Sequence, residues 1–409
     1  MSNDWARSGC FVVACVVLAL PLSAFTEGDA PGETSEPDST LAPSDVPLTL
    51  GFQRTIWSSI LNEARDLMVF LPEDYEAQGD QRYPLLVVLD ARASFSFTAA
   101  IIVSQARARV VPRMVVVGIV NTNRWRDLTP TPDLGVSGTG GSDQFLAALE
   151  SEIIPYIDSH WRTSDYRVFE GHSVGGLTGL TILLERPDLF DAYILLSPSL
   201  EWGEGFMIDR SREFFQTSDE LPKWIYLAIA DEKLERPFYD QMIDLLNRDA
   251  PAALAWHSDI FDEEDDHMSI RVPGALAGIR WVFRDWRLTS SQICTMTNDE
   301  IARHYADATR RYKEERAPGV MQITDAAYWA LYDPETVDRA MELFRLAVAK
   351  WPESSYAHSC LGEGLERTGY LEEALAEMEL ALKLARDSDV FDLPYFEGMV
   401  TRVSEELGR

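Results

Sequence analysis

Beyond residue 46 the chain alternates between two kinds of hydrophobic pattern. Short, nearly unbroken apolar runs rich in valine, isoleucine and leucine recur at Tyr83–Asp90, Met114–Val120, Tyr166–Phe169, Ala192–Ser197 and Trp224–Ala230. A strand covered on both faces needs no polar alternation, so each run predicts a buried strand. Between them lie helical patterns such as Asp143–Ile157 and Leu177–Glu185, the second stopped by Pro187. Strand alternating with helix predicts an α/β fold over residues 47–287, a doubly wound, mostly parallel sheet with helices on both faces. Such sheets bind ligands at the carboxyl ends of their strands, so chemistry is expected just after each apolar run.

From Asp299 onward the strand patterns stop and helical ones take over. Ala340, Phe344 and Ala347 are matched 34 positions later by Ala374, Met378 and Ala381, while Leu361, Gly362 and Tyr370 fall where a tetratricopeptide repeat places helix-packing residues. That period predicts an all-α, tetratricopeptide-like unit over residues 296–409, with one good repeat, one partial repeat and a helical extension at each end. Three repeats are usually needed for independent stability, so the unit is expected to lean on the preceding domain.

The N-terminus reads differently again. Arg7 precedes the apolar run Cys10–Leu20, then Pro21 and the small pair Ser23–Ala24. This predicts a secretory signal over residues 1–24 and an exported, periplasmic or secreted protein, with an uncleaved N-terminal membrane anchor as the alternative. The run falls short of the roughly 18 residues of a span, so no integral membrane segment is expected in the mature chain. Residues 25–46 contain Pro, Ser, Thr, Gly and acid but no lysine or arginine, and are expected to form a disordered acidic linker. Loss of the signal would remove Cys10 and Cys15. Cys294 and Cys360 would remain, as a disulfide or as two separately buried thiols. No Cys/His spacing fits a metal site. With 36 basic against 67 acidic residues the net charge is -31, which repels phosphate backbones and excludes nucleic acid as a natural partner.

The sharpest chemical signal is Gly171-His-Ser-Val-Gly175, placed after a strand and before a helix. That is the context of a nucleophile elbow, in which Ser173 occupies a strained turn and the glycines permit close backbone approach. A serine hydroxyl needs a base, and in this fold the chain order is serine, acid, histidine. Of the six histidines only His257 and His267 follow the serine and precede the helical unit. His257 lies inside the last strand pattern and reads as structural, whereas His267 follows it in an acidic loop and reads as the base. The acid is expected in the loop after Trp224–Ala230, where Glu232 is favoured and Asp231 remains open. Glu263, Glu264, Asp265 and Asp266 read as a solvated loop edge. The oxyanion donors are expected to be the backbone N–H of Val174 and one from Ala91 or Arg92. The Arg92 guanidinium has a second reading, as a contact for an anionic substrate group.

These residues resemble the esterase D-like family, a branch of the α/β-hydrolases that includes enterochelin esterases, feruloyl esterases and S-formylglutathione hydrolases. The resemblance spans about Leu48 to Trp286. It rests on Ser58–Arg65 before Phe70-Leu-Pro72, on Tyr83–Asp90, Asn121–Pro130 and Tyr166–Gly176, on Ser197-Pro-Ser199, and on Glu264-Asp-Asp-His267. It implies the α/β-hydrolase fold, Ser173 as nucleophile, His267 as base and the acid from Asp231-Glu232. It departs from the family pattern at Ala91 and Ala230, where glycine is usual. In the same light Arg124, with Arg126 and Asp127, resembles a loop bordering the substrate cleft, and Trp202 is a candidate pocket wall.

The expected function is a serine esterase cleaving a carboxylic ester or thioester through an acyl-enzyme, without metal or organic cofactor. Siderophore, glycan and small-molecule esters all suit an elbow of this kind. Two other readings are an acyltransferase of the same fold, and an inactive hydrolase scaffold whose repeat unit binds a protein partner.

Overall fold

The computed structural model describes residues 49–408, except 134, 219, 262–263 and 389–391. The segments expected to be signal and linker, with Cys10 and Cys15, and also Glu263 lie outside the described residues. Residues Thr49–Arg409 form one compact unit.

Eight strands make one sheet: β1 (Phe52–Ser58), β2 (Glu63–Phe70), β3 (Tyr83–Val88), β4 (Val115–Ile119), β5 (Thr163–His172), β6 (Ala192–Leu196), β7 (Trp224–Ile229) and β8 (Ala255–Ile260). Their order is β1-β2-β4-β3-β5-β6-β7-β8. Strand β2 runs antiparallel to both its neighbours, and β4 through β8 pair in parallel by way of β3. This is the α/β-hydrolase arrangement. The antiparallel pair β1–β2 escaped the hydrophobic pattern because most of β1 faces solvent and leaves no apolar run to read.

The sheet separates two cores by strict alternation. Leu85, Val87, Val115, Val117 and Phe169 face one side with the helices Val174–Glu185 and Arg236–Asp249. Leu86, Val88, Val116, Val168 and Ile194 face the other with the helices Ala91–Arg107 and Arg271–Val282. The predicted helix around Asp143–Ile157 is present, but it is interrupted at Leu149–Ile153 by a π turn, where the Ile154 N–H reaches back to the Leu149 carbonyl. Pro155, which has no N–H to give, sits at the start of the next helical segment and accounts for the break.

The C-terminal region is helical, as expected. Helices Val337–Lys350 and Leu371–Asp387 start 34 residues apart, and Ser355–Arg367 lies between them. A methyl group on Gly362 would meet Met378 Cγ at 2.7 Å, so the tight helix crossing requires glycine there. Helix Asn298–Tyr312 belongs to both parts. Its Ile301 and Tyr305 join the helical core, whereas Tyr312 is seated among Tyr166, Phe283 and Trp286 at centroid distances of 5.2, 5.5 and 5.2 Å. Cys294 and Cys360 are separate buried thiols. Among the described residues, no helix is long and apolar enough to cross a membrane.

Candidate active site

The carboxyl ends of β3, β5, β7 and β8 deliver the predicted residues to one rim of the sheet. After β5 the chain turns sharply at Ser173, whose φ of 60° and ψ of −125° lie outside every relaxed region for a non-glycine residue. The turn closes because position 171 has no side chain. A Cβ on Gly171 would stand 2.2 Å from the Gly175 carbonyl oxygen. Gly175 is under less constraint, since its added Cβ would meet Asp90 Oδ2 at 3.4 Å.

Neighbouring loops after β7 and β8 bring the acid to the histidine. Glu232 Oε2 accepts a hydrogen bond from His267 Nδ1 at 2.6 Å. Its other oxygen accepts from the Ser197 hydroxyl and, at 3.3 Å, from the Ala230 N–H. Glu232 is buried while Asp231 is exposed, with its N–H directed to the Asp265 carbonyl. Of the adjacent acids, the structure therefore brings Glu232 to His267 and leaves Asp231 outside. Burial pushes the Glu232 carboxyl up, but the hydrogen bonds from His267 and Ser197 outweigh it and hold the group below its usual range. The same bond raises His267 above the ordinary imidazole value, against the opposing effect of its burial.

The imidazole lies beside the elbow. The ring of His172, the residue before the serine, is 4.6 Å from the His267 ring, and His172 Nε2 donates to the His267 carbonyl at 2.5 Å. Burial depresses His172 to about 4, so it stays neutral and serves as a fixed donor that pins the loop. The Ser173 hydroxyl pairs with the Ser199 hydroxyl at 3.3 Å, and no hydrogen bond joins it to His267 among the described residues. His257 is exposed on β8, 3.1 Å from Asp259, as its structural reading required.

Two helices begin at this rim. Ser173 precedes helix Val174–Glu185, and Asp90, itself at φ 53°, precedes helix Ala91–Arg107. The first N–H groups of a helix have no partner within it. Those of Val174, Ala91 and Arg92 have none among the described residues. The Arg92 side chain turns away: it is 74% exposed and faces Asp66 at 4.0 Å, which removes its reading as an anion contact in the cleft. Arg124 takes the inner position. It grips Asp90 with Nε at 2.7 Å and Nη2 at 3.0 Å, and Nη2 also reaches the His172 carbonyl at 3.3 Å. It thus ties the turn at Asp90 to the turn at Ser173. Arg126 and Asp127 instead join Arg65 and Glu63 in a structural ion cluster. Trp202 is buried, donates to Thr131 Oγ1 at 3.0 Å and stacks on half-exposed Trp125 at 5.9 Å. The indole of Trp125, more than that of Trp202, is open to a ligand. Among the described residues, no cluster of His, Cys, Asp or Glu is arranged to hold a metal ion.

Comparison with known proteins bears on this geometry. Residues 58–233 match the family model described as "Putative esterase". The match takes in a little under half of the chain and includes Ser173 and Glu232. The curated relatives include the ferri-bacillibactin esterase BesA of Bacillus subtilis, 28% identical over 205 residues, or 45% of this chain and 71% of BesA. They also include the siderophore triacetylfusarinine C esterase of Aspergillus fumigatus, 26% identical over 39% of this chain and 64% of the relative. Among solved structures, an IroE-like serine hydrolase from Shewanella oneidensis superposes with a TM-score of 0.62 at 26% identity, covering 73% of this chain and 99% of its own. An uncharacterised protein from Capnocytophaga ochracea covers 87% of this chain at TM-score 0.64 and 17% identity, so its fold extends past the family-matched residues into the helices that follow. The family model and these relatives support a hydrolase of ester bonds.

The sequence missed Ser197, Ser199 and His172 as contributors to the site. Ser197-Pro-Ser199 was visible as a motif, but nothing in the spacing shows that one hydroxyl would face the acid and the other the nucleophile.

Proposed function

We propose that the protein is an exported serine esterase in which Ser173, His267 and Glu232 act as a triad. His267 takes the Ser173 proton through Nε2 while Ser173 Oγ attacks the ester carbonyl. Glu232 holds Nδ1 protonated and stabilises the imidazolium that forms. The oxyanion is received by the N–H groups of Val174 and Ala91, with Arg92 as the neighbouring first-turn donor. Collapse of the tetrahedral intermediate expels the alcohol, which takes its proton from the imidazolium. Water, deprotonated by the same imidazole, then cleaves the acyl-enzyme and releases the acid.

The observation that carries this reading is the 2.6 Å His267–Glu232 pair set beside the strained Ser173 turn. In the resting site the serine hydroxyl bonds Ser199, and attack requires it to turn to His267. Catalytic hydrogen bonds commonly tighten only once substrate is bound. For substrate, the siderophore esters cleaved by the relatives are the leading class, with the exposed face of Trp125 and the Arg124 guanidinium bordering the cleft. Export rests on the Arg7 and Cys10–Leu20 pattern.

A fluorophosphonate probe tests the nucleophile. Wild type is expected to be labelled and Ser173→Ala to be unlabelled and inactive on chromogenic esters with its circular dichroism unchanged. Labelling that persists in Ser173→Ala, or absent labelling of folded wild type, refutes the triad.

A further inference from the structure

A cluster of arginines lies at the opposite end of the sheet from Ser173. A cleft of about 520 Å³, within the roughly 300–1,000 Å³ range of small-ligand sites, opens between the amino end of β3 and the first C-terminal helices. Five guanidinium groups line it, from Arg82, Arg109, Arg113, Arg287 and Arg316, against one carboxylate, Glu314. Counting Glu314 and the Asp74 carboxylate that pairs with Arg113, the local formal charge is five minus two, or +3, in a chain whose net charge is -31. Acids outnumber bases 67 to 36 overall, so an uncommitted surface would show the reverse ratio.

Three of these groups have internal partners and two have none among the described residues. Arg113 pairs with Asp74, and Arg82 donates to the Thr163 carbonyl at 2.9 Å. Arg316 lies flat over Trp286 at 3.4 Å, donates from Nη2 to the Trp286 carbonyl at 3.5 Å, is 3.9 Å from Glu314, and keeps a buried Nε with no partner. Arg109 and Arg287 have neither an ion pair nor a side-chain hydrogen bond among the described residues. Helix Val320–Leu331 also starts in the cleft wall, and Gly319 before it supplies no side-chain cap, leaving first-turn N–H groups available.

We propose that this cleft binds a multiply charged oxyanion of small-molecule size, an oligophosphate or a compound of equivalent charge. Guanidinium forks match phosphoryl and carboxylate oxygens two at a time, and a helix start adds N–H donors to the same anion. Clustered like charges repel, and a bound anion relieves that repulsion. The lining comes from the sheet domain, from the Trp286-Arg287 connection and from the loop before helix Val320–Leu331. Bound anion therefore ties the helical region to the hydrolase body and strengthens their docking.

The test is calorimetric titration of the full chain with sodium tripolyphosphate in 0.15 M salt, on the order of physiological ionic strength, beside thermal unfolding. Wild type is expected to bind one equivalent saturably and to melt at a higher temperature with ligand present. The double variant Arg109→Ala/Arg287→Ala, which alters one exposed and one half-buried side chain at the opposite end of the sheet from Ser173, is expected to bind at least about tenfold more weakly, a loss of one charge-assisted contact or more, with ester hydrolysis unchanged. The inference is overturned by absent saturable heat in wild type, by equal affinity in the double variant, or by an equal rise in melting temperature with sodium chloride at matched ionic strength.

Discussion

Glu170 lies in β5 immediately before Gly171, wholly inside the protein on the face packed by helix Ala91–Arg107. Thr98 donates to its Oε1 at 2.9 Å, and its Oε2 has no partner. Burial raises this carboxyl from 4.5 to about 7, with the Thr98 bond opposing only in part. A group whose folded value is raised stabilises the fold fully below its unfolded value, and that contribution is lost as pH rises through the folded value. The window runs from 4.5 to about 7, and at about 1.4 kcal/mol per pH unit the whole loss is about 3 kcal/mol. Glu170→Gln keeps the shape and the Thr98 contact but cannot ionise. Relative to wild type it is expected to gain about 2–3 kcal/mol of stability between pH 5 and pH 8, read from urea unfolding at both values. His172 acts in the opposite sense: its folded value is depressed to about 4, so its contribution is lost as pH falls from 6.5. It is present in both proteins and cancels in the comparison. A wild-type-to-variant difference that stays flat between the two pH values refutes the reasoning, because it would mean that the buried carboxylate is solvated or compensated.

Three further outcomes follow from the site. Glu232→Gln removes the carboxylate that raises His267, so the acid limb of the kcat/KM profile is expected to move to lower pH while the rate falls about 10²- to 10⁴-fold; Asp231→Asn, whose side chain is exposed, leaves both near wild type, and equal effects of the two substitutions would contradict the geometry. Gly171→Ala forces a methyl onto the Gly175 carbonyl and is expected to cost about 1–3 kcal/mol or more in urea unfolding, with Gly175→Ala clearly milder; the reverse order would be evidence against this elbow. Ser199→Ala removes the resting partner of the Ser173 hydroxyl but no proton acceptor, so probe labelling is expected to persist, and its complete loss would place Ser199 in the proton path.

Much of this was written into the chain as local pattern. Five of the six parallel-sheet strands β3 to β8 appear as nearly unbroken apolar runs because burial on both faces admits little else, and the sixth, β8, was readable as the last strand pattern, around His257. Gly171 and Ser173 were legible because the turn's steric demand falls on residues adjacent in sequence. The 34-residue repeat of helix starts was legible for the same reason, since each helix pair packs chiefly on its neighbours.

What the sequence left open depends on groups distant along the chain. Choosing Glu232 over Asp231 required knowing which side chain turns under the β8 loop, a matter of loop conformation fixed by Ser197 and Ala230 contacts. The reach of Arg124 to Asp90 and the His172 carbonyl, and the retreat of Arg92 to Asp66, were likewise decided by the packing of β3, β4 and β5 side by side. The arginine cleft is the extreme case. Its lining comes from residues 81 to 322, each unremarkable in its own segment, and their charges meet only because Tyr312 docks the helical region against the end of the sheet. Periodicity and sterics act between near neighbours and are visible in one dimension, whereas charge and hydrogen bonding act through space and become specific only once the chain is folded.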